Sequence, residues 1–206
     1  MIAAQETLST RERLVTAGMR LFAERGWRGT TVGDVEAAAG LAPRSGALYQ
    51  YFAGKRELLD ACVERHVEEL DQIQSAMDML PLGELRADLT LMARWNLQDL
   101  KRREDLYRFV RKEGDRFPEL VETIYERISE RPLRRTAEGL EAYFRHAGVQ
   151  PPDCEALVAV LVQSMSAYRV HEASYGRPPL GVDEERFVAM WVDICMAYAA
   201  SRGVGG

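Results

Sequence analysis

Arg44, Ser45, Tyr49, Gln50, Tyr51 and Lys55 bring hydrogen-bond donors, acceptors and flat rings into one short stretch. The chemistry such groups offer is recognition rather than bond making. An arginine fork can reach O6 and N7 of guanine, and a glutamine amide can pair with adenine in the same bidentate way. Just upstream, Thr31 stands where a helix should start, and a hydroxyl beside free backbone N–H groups suits a phosphate. Arg28 adds a further cation for the same backbone. By contrast, the chain has no Gly-rich phosphate loop, no His-Glu-x-x-His and no Cys-x-x-Cys pair. It therefore predicts no enzyme, cofactor or metal. One fragment leaves another option open: Cys62, His66 and Glu69 lie at i, i+4 and i+7, where three metal-ligating types could converge. The other reading is a packed cysteine beside a partly exposed histidine.

The elements that must position these residues are helices. Ser9 and Glu12 have capping-box spacing, and Leu14, Ala17, Gly18, Leu21 and Phe22 follow the helical period to a stop at Gly26. Trp27 should fold back onto this small core. A second capping box, Thr31 with Asp34, opens a second helix whose buried side is Val32, Val35, Ala38 and Ala39. Gly40 makes a turn. A third helix is expected from Pro43, a residue suited to a first helical position, with Leu48 and Phe52 as its anchors. Two short helices joined by a glycine turn outline a helix-turn-helix, which places one helix in the major groove of DNA.

Periodicity continues to the end of the chain. A long helix opens after Gly54, with Leu59, Val63, His66, Leu70 and Met77 in a stripe, and Pro81 ends it. Leu85, Leu89, Met92, Trp95 and Leu100 mark the next helix, and a short one covers about 104–114. Another is expected from Pro118 to His146, kinked at Pro132. Asp153 caps a helix to Tyr175, residues 176–182 form a loop, and Asp183 caps a last helix to Ser201. The tail from Gly203 to Gly206 should fray. No strand and no internal repeat is expected. The fold class predicted is all-α, with a three-helix DNA-binding domain over residues 1–56 and a larger helical domain over 57–206.

Net charge is −5, which suits DNA poorly until it is divided by position. Residues 1–56 hold eight basic and five acidic groups, a balance of +3 that leaves −8 for the remainder. A positive module on an acidic body lets one face meet phosphate. Cys62, Cys154 and Cys195 are odd in number and far apart, which fits a reducing cytoplasm. The N-terminus lacks the apolar core of a signal peptide, and the apolar run Ala156 to Val162 is too short to span a bilayer.

Residues 21–59, LFAERGWRGTTVGDVEAAAGLAPRSGALYQYFAGKRELL, resemble the N-terminal half of TetR-family bacterial transcriptional regulators. Phe22, Gly26, Thr30-Thr31, Ala39-Gly40, Leu48-Tyr49, Phe52, Lys55 and Leu58 carry the likeness. The span from Gly40 to Tyr49 is longer than the commonest family pattern, which makes Arg44 and Ser45 harder to place. The resemblance implies that Tyr49 and Lys55 contact phosphate. It implies a homodimer on a pseudo-palindromic operator, since one short helix reads too few bases alone. The last two helices would supply the dimer surface through Leu157, Leu161, Phe187, Met190, Trp191, Ile194 and Tyr198. The same stripes could instead close the monomer core. The resemblance also implies a cavity in the C-terminal domain for a small apolar or aromatic effector. Its candidate lining is Met92, Trp95, Tyr107, Phe109, Arg111, Tyr125, Met165, Tyr168 and His171. The function expected is a repressor released by that effector. The rival readings are a ligand-independent DNA-binding protein and a helical enzyme using the same cavity.

Overall fold

The computed structural model describes residues 8–77 and 84–204, and every regular element among them is helical. In chain order these are α1 (Thr10–Arg25), α2 (Val32–Ala38), a 3₁₀ turn (Ala47–Gln50) and α3 (Lys55–Met77). Then come α4 (Leu85–Arg102), α5 (Glu104–Glu113), a 3₁₀ turn (Gly114–Arg116), α6 (Pro118–Ile124), a π-helical stretch (Tyr125–Glu130), α7 (Arg131–His146), α8 (Cys154–Tyr175), a 3₁₀ turn (Pro179–Gly181) within the expected loop, and α9 (Glu184–Ser201). The expected break at Pro81, the side chain of Met77 and the tail residues Gly205 and Gly206 lie outside the described residues.

Helix starts follow the caps legible in the sequence. Ser9 Oγ accepts the Glu12 N–H at 3.3 Å while the Glu12 carboxylate accepts the Ser9 N–H at 2.7 Å. Thr31 and Asp34 form the same reciprocal pair at 3.2 and 2.9 Å. Asp153 and Asp183 each accept an amide of the following turn at 2.9 Å. Each cap satisfies a first-turn donor that has no partner inside its own helix.

Two elements differ from expectation. No helix starts at Pro43; in place of the expected third helix stands only the 3₁₀ turn Ala47–Gln50, and residues 41–46 form the turn before it. The reason is conformational: Arg44 (φ 59°) and Gly46 (φ 75°) are left-handed, which no α-helix accommodates. The second difference surrounds Pro132. Lacking an N–H, proline cannot bond back to the Ile128 carbonyl. The chain relieves this with the π-helical stretch and restarts as α7, with Pro132 in its first turn. The Ile128 carbonyl then accepts Nη1 of Arg103 at 3.3 Å.

The residues group into two compact units. One gathers Met1–Glu68 with Asp105–Ile124, the other Glu69–Glu104 with Tyr125–Gly206. The contact grouping divides α3 at Glu68 and joins 105–124 to the N-terminal unit. That unit is built around Phe22, Trp27, Phe109 and Phe117, whose successive ring centroids lie 5.1–6.3 Å apart. Glu113 accepts the Trp27 N–H at 2.9 Å, and Lys112 reaches the Glu24 carbonyl at 2.9 Å. Gly26 is left-handed (φ 75°) at this point, and a Cβ there would collide with the Glu113 carboxylate. Close approach of α1 to α3 rests on Gly18, whose absent Cβ leaves room for Leu58.

In the second unit α4, α8 and α9 pack around Ala93, Leu97, Met165, Tyr168, Val188, Trp191 and Val192. A neighbouring cluster joins α7 and α8 to the end of α9 through Ala137, Phe144, Val158 and Ala199. Arg169 ties three helices: it donates to the Leu97 carbonyl at 3.0 Å, to Glu172 at 2.7 Å and to Glu184 at 2.5 Å.

Asp99 and Arg103 form a nearly dry ion pair at the end of α4, their side chains 12% and 5% exposed. Removing one member strands a buried charge, whereas an exposed pair is largely screened. Arg103→Met is therefore expected to lower unfolding free energy by about 3–5 kcal/mol. Arg86→Met, which breaks the half-exposed bridge to Asp193, is expected to lower it by about 0.2–1 kcal/mol. Urea denaturation of both variants checks the contrast, and equal losses would contradict it.

Candidate nucleic-acid interface

All eight residues expected to meet DNA fall in the N-terminal unit. Arg28, Thr31, Arg44, Ser45, Tyr49, Gln50 and Tyr51 are exposed and Lys55 is half-buried. Tyr49 is 62% and Tyr51 42% exposed, unusual for side chains this large, while Leu48 between them and the core is fully buried. The 3₁₀ turn explains the split. It pins Leu48 and Phe52 inward, bonded N–H of Phe52 to O of Leu48 at 3.0 Å, and leaves Tyr49 and Gln50 facing out.

Arg44 and Ser45 occupy the turn rather than the recognition helix. The Arg44 stem lies against Gly33 of α2, where an added Cβ would sit 3.1 Å from Cγ. Its charge lies near Asp34, whose carboxyl is held below the usual range mainly by its hydrogen bonds to Thr31, with smaller contributions from Arg25 and Arg44. Ser45 Oγ accepts the Ala47 N–H at 3.3 Å, so this hydroxyl starts the recognition turn. Thr31 Oγ1 donates to Asp34 at 2.6 Å and would have to reorient to reach a phosphate.

Lys55 is the best-defined cation of the set. Its Nζ donates to the carbonyls of Trp27 at 2.6 Å and Thr30 at 2.8 Å, and it lies 4.2 Å from the Trp27 ring centroid. Burial lowers its pKa, the nearby Arg116 lowers it further, and Glu113 opposes both. An ammonium has three donors, so one remains for an anion. The Trp27 peptide is thereby held from both sides, its carbonyl by Lys55 and its N–H by Glu113. No sequence signal marks Glu113 or its neighbourhood, because nothing local links residue 113 to residue 27.

The Cys62, His66, Glu69 fragment does not assemble a metal site. Cys62 is fully buried, its thiol donating to the Val15 carbonyl at 3.3 Å. Burial pushes its pKa up to about 12. Among the described residues no group of three metal-ligating side chains converges.

The nine expected effector-lining residues divide between the units. Tyr107, Phe109 and Arg111 lie in the first, where Phe109 packs on Phe22 and Phe117. Met92, Trp95, Tyr125, Met165, Tyr168 and His171 lie in the second. There Met165 and Tyr168 are core, the Tyr168 ring lying 4.4 Å from Phe187 and its hydroxyl donating to the Val182 carbonyl at 3.1 Å. Tyr125 is exposed, and His171 lies against Tyr175. Two open surface grooves, about 550 and 580 Å³, are lined by other residues: Glu126, Arg131 and their neighbours, and Glu141 to Pro152.

Of the expected dimer residues, Met190 and Ile194 are exposed at 61% and 54%. Leu157, Leu161, Phe187 and Tyr198 are half-buried. Trp191 faces inward; its Nε1 donates to the Leu161 carbonyl at 3.1 Å, and its ring belongs to the α4–α8–α9 core. The apolar outer face also includes Val160, 69% exposed, and Val170, 49% exposed, which the sequence reading did not single out. No described helix is long and apolar enough to cross a membrane.

Comparison with known proteins converges on the same segment. Residues 14–62 match the family model of bacterial regulatory proteins, tetR family. The chain is similar to the HTH-type transcriptional repressor KstR2 of Mycobacterium tuberculosis, 44% identical over 57 residues. That alignment covers 28% of each chain, so this chain spans little more than a quarter of the curated relative it matches. Similar solved structures cover nearly the whole length. One, from Mesorhizobium loti and described as a TetR-family transcriptional regulator, has a TM-score of 0.68 at 19% identity, covering 93% of this chain and 96% of that one. Another, the fatty acid degradation regulator FadR of Bacillus halodurans, has a TM-score of 0.65 at 16% identity, covering 92% and 96%. At such identities the likeness is one of fold.

Keeping the Cys62 thiol neutral stabilises the folded state because its folded pKa lies above the ordinary value of 9.0. That contribution is complete below about pH 9 and is lost as pH rises toward 12. Cys62 is therefore expected to resist alkylation by iodoacetamide at pH 8 in the folded protein and to react once urea unfolds it. Mass spectrometry showing Cys62 alkylated in the native protein would contradict this.

Proposed function

We propose that this chain, which belongs to the tetR family of bacterial regulatory proteins, is a homodimeric DNA-binding transcriptional repressor released from its operator by a small apolar or aromatic effector. The observation that carries the reading is the recognition turn. Tyr49 and Gln50 stand out from a buried Leu48, inside the segment that matches the family. Residues 1–56 make the DNA contacts in this reading, and residues 57–206 carry effector binding and dimerisation.

On DNA, Gln50 and Arg44 read base edges from the turn and the residues after it, while Tyr49 and Lys55 hold phosphates and fix the register. Arg28, Thr31, Ser45 and Tyr51 surround them and add backbone contacts. The effector domain uses the second unit. Met92, Trp95, Met165, Tyr168 and His171 supply apolar and aromatic surface with two polar handles, which suits an apolar ligand. Since Met165 and Tyr168 are packed in the free core, the effector separates them on entry and so favours a different conformer. A ligand with that differential affinity weakens DNA binding by linkage. A protein of similar fold, the fatty acid degradation regulator FadR of Bacillus halodurans, supports a small organic effector as a class.

The dimer forms through the outer faces of α8 and α9. Val160, Val170, Met190 and Ile194 place apolar area in solvent on helices otherwise well packed. A twofold partner would bury it in a four-helix interface.

Three measurements test the reading. Selection from a random duplex pool should yield a pseudo-palindrome bound far more tightly than scrambled DNA. Gln50→Ala should relax preference at one position per half-site by about 1–3 kcal/mol, and Lys55→Ala should flatten the salt dependence by about one charge without changing base preference. A wild-type protein that selects no duplex would overturn the proposal. For the dimer, Ile194→Glu and Val160→Glu should give monomers by analytical ultracentrifugation with secondary structure intact; a surviving dimer places the interface elsewhere.

A further inference from the structure

Glu36 is completely buried on α2, a helix whose neighbouring inward residue is Val35. A carboxylate in such a place is unfavourable unless its oxygens are used. Glu36 is used twice, across one turn. Its main-chain carbonyl accepts the Leu41 N–H at 2.9 Å, and its Oε1 accepts the Leu48 N–H at 3.1 Å. The two amides stand at either end of the turn that holds Arg44 and Ser45. The second carboxylate oxygen is buried and has no hydrogen-bond partner among the described residues. A core built only for stability would carry an apolar residue at this position.

The need for Glu36 follows from how little else holds the recognition turn. Ala47–Gln50 is one 3₁₀ turn, and its preceding residue, Gly46, has no side chain with which to cap it. The Ala47 amide is satisfied by Ser45, two residues away, and travels with the turn. The Leu48 amide is satisfied by α2, which does not. Leu48 burial fixes depth, yet a buried leucine tolerates rotation better than a directional hydrogen bond does.

We infer that Glu36 is the positioning residue of the DNA-reading turn, its buried carboxylate fixing where Leu48 begins and hence which way Tyr49 and Gln50 face. This rests on the DNA-binding reading and adds a specificity determinant that never touches DNA. Glu36 reaches no phosphate, being buried, so its removal acts on orientation and leaves the phosphate contacts in place.

The test compares full-length wild type, Glu36→Ala, Glu36→Gln and Glu36→Asp by two readouts. The first is amide exchange in the free protein. Glu36→Ala should speed exchange at Leu48 by about tenfold or more and leave the α1 amides of Leu21 and Phe22 unchanged. The second is the affinity ratio of selected to scrambled duplex, which should fall about tenfold while affinity for scrambled DNA is retained. Glu36→Gln keeps the acceptor and should restore both. Wild-type exchange and an unchanged ratio in Glu36→Ala would overturn the inference. Should Glu36→Ala loosen α1 as well, Glu36→Asp decides. It keeps the charge and withdraws it by one methylene, so a shifted base preference at unchanged Tm supports positioning, and a wild-type profile refutes it. If wild type selects no duplex, the regulatory reading is what fails, and Leu48 exchange alone then decides whether Glu36 holds the turn.

Discussion

A helical segment of a single turn has almost no hydrogen bonds of its own and cannot hold its shape in water. Everything the N-terminal unit does follows from that constraint. The turn Ala47–Gln50 is fixed from behind, by Leu48 and Phe52 in the core and by Glu36 at the Leu48 amide. Phe22, Trp27, Phe109 and Phe117 pack together in the same unit. Residues 105–124, far along the chain, thus belong to the compact unit that carries the turn.

Much of this was legible in the sequence because its signals are local. Ser9 with Glu12, Thr31 with Asp34, Asp153 and Asp183 each mark a helix start within a few residues, and the structure has a helix at each. The stripes Leu14 to Phe22 and Leu59 to Val63 are buried where the period places them. What stayed hidden was non-local or depended on backbone handedness. Pro43 reads as a good first helical residue, and nothing in its neighbours says that Arg44 will be left-handed and stop a helix there. Glu36 falls outside the set Val32, Val35, Ala38 and Ala39 expected on the buried side of its helix; only the fold of residues 41–48 brings the Leu48 amide over it. Trp191 fits the apolar stripe of α9 on a helical wheel, but a stripe does not reveal which of its edges faces in.

The second unit answers a different demand. Its interior is held by directional contacts as well as by apolar packing: Arg169 spans α4, α8 and α9, and Arg103 fills the gap that Pro132 leaves at Ile128. Long side chains reaching main-chain carbonyls of neighbouring helices lock helix positions without filling the space between them. Under the proposed function, such a scaffold lets aromatic residues separate locally while its helices stay registered.

Arg44 carries one last implication. An L-residue with a side chain in the left-handed region is disfavoured by about 1–2 kcal/mol relative to glycine. Glycine at this position would relieve the backbone, but in the proposed reading it would also remove a contact to a base edge. Under that reading, thermal hardiness and sequence discrimination pull against each other at residue 44.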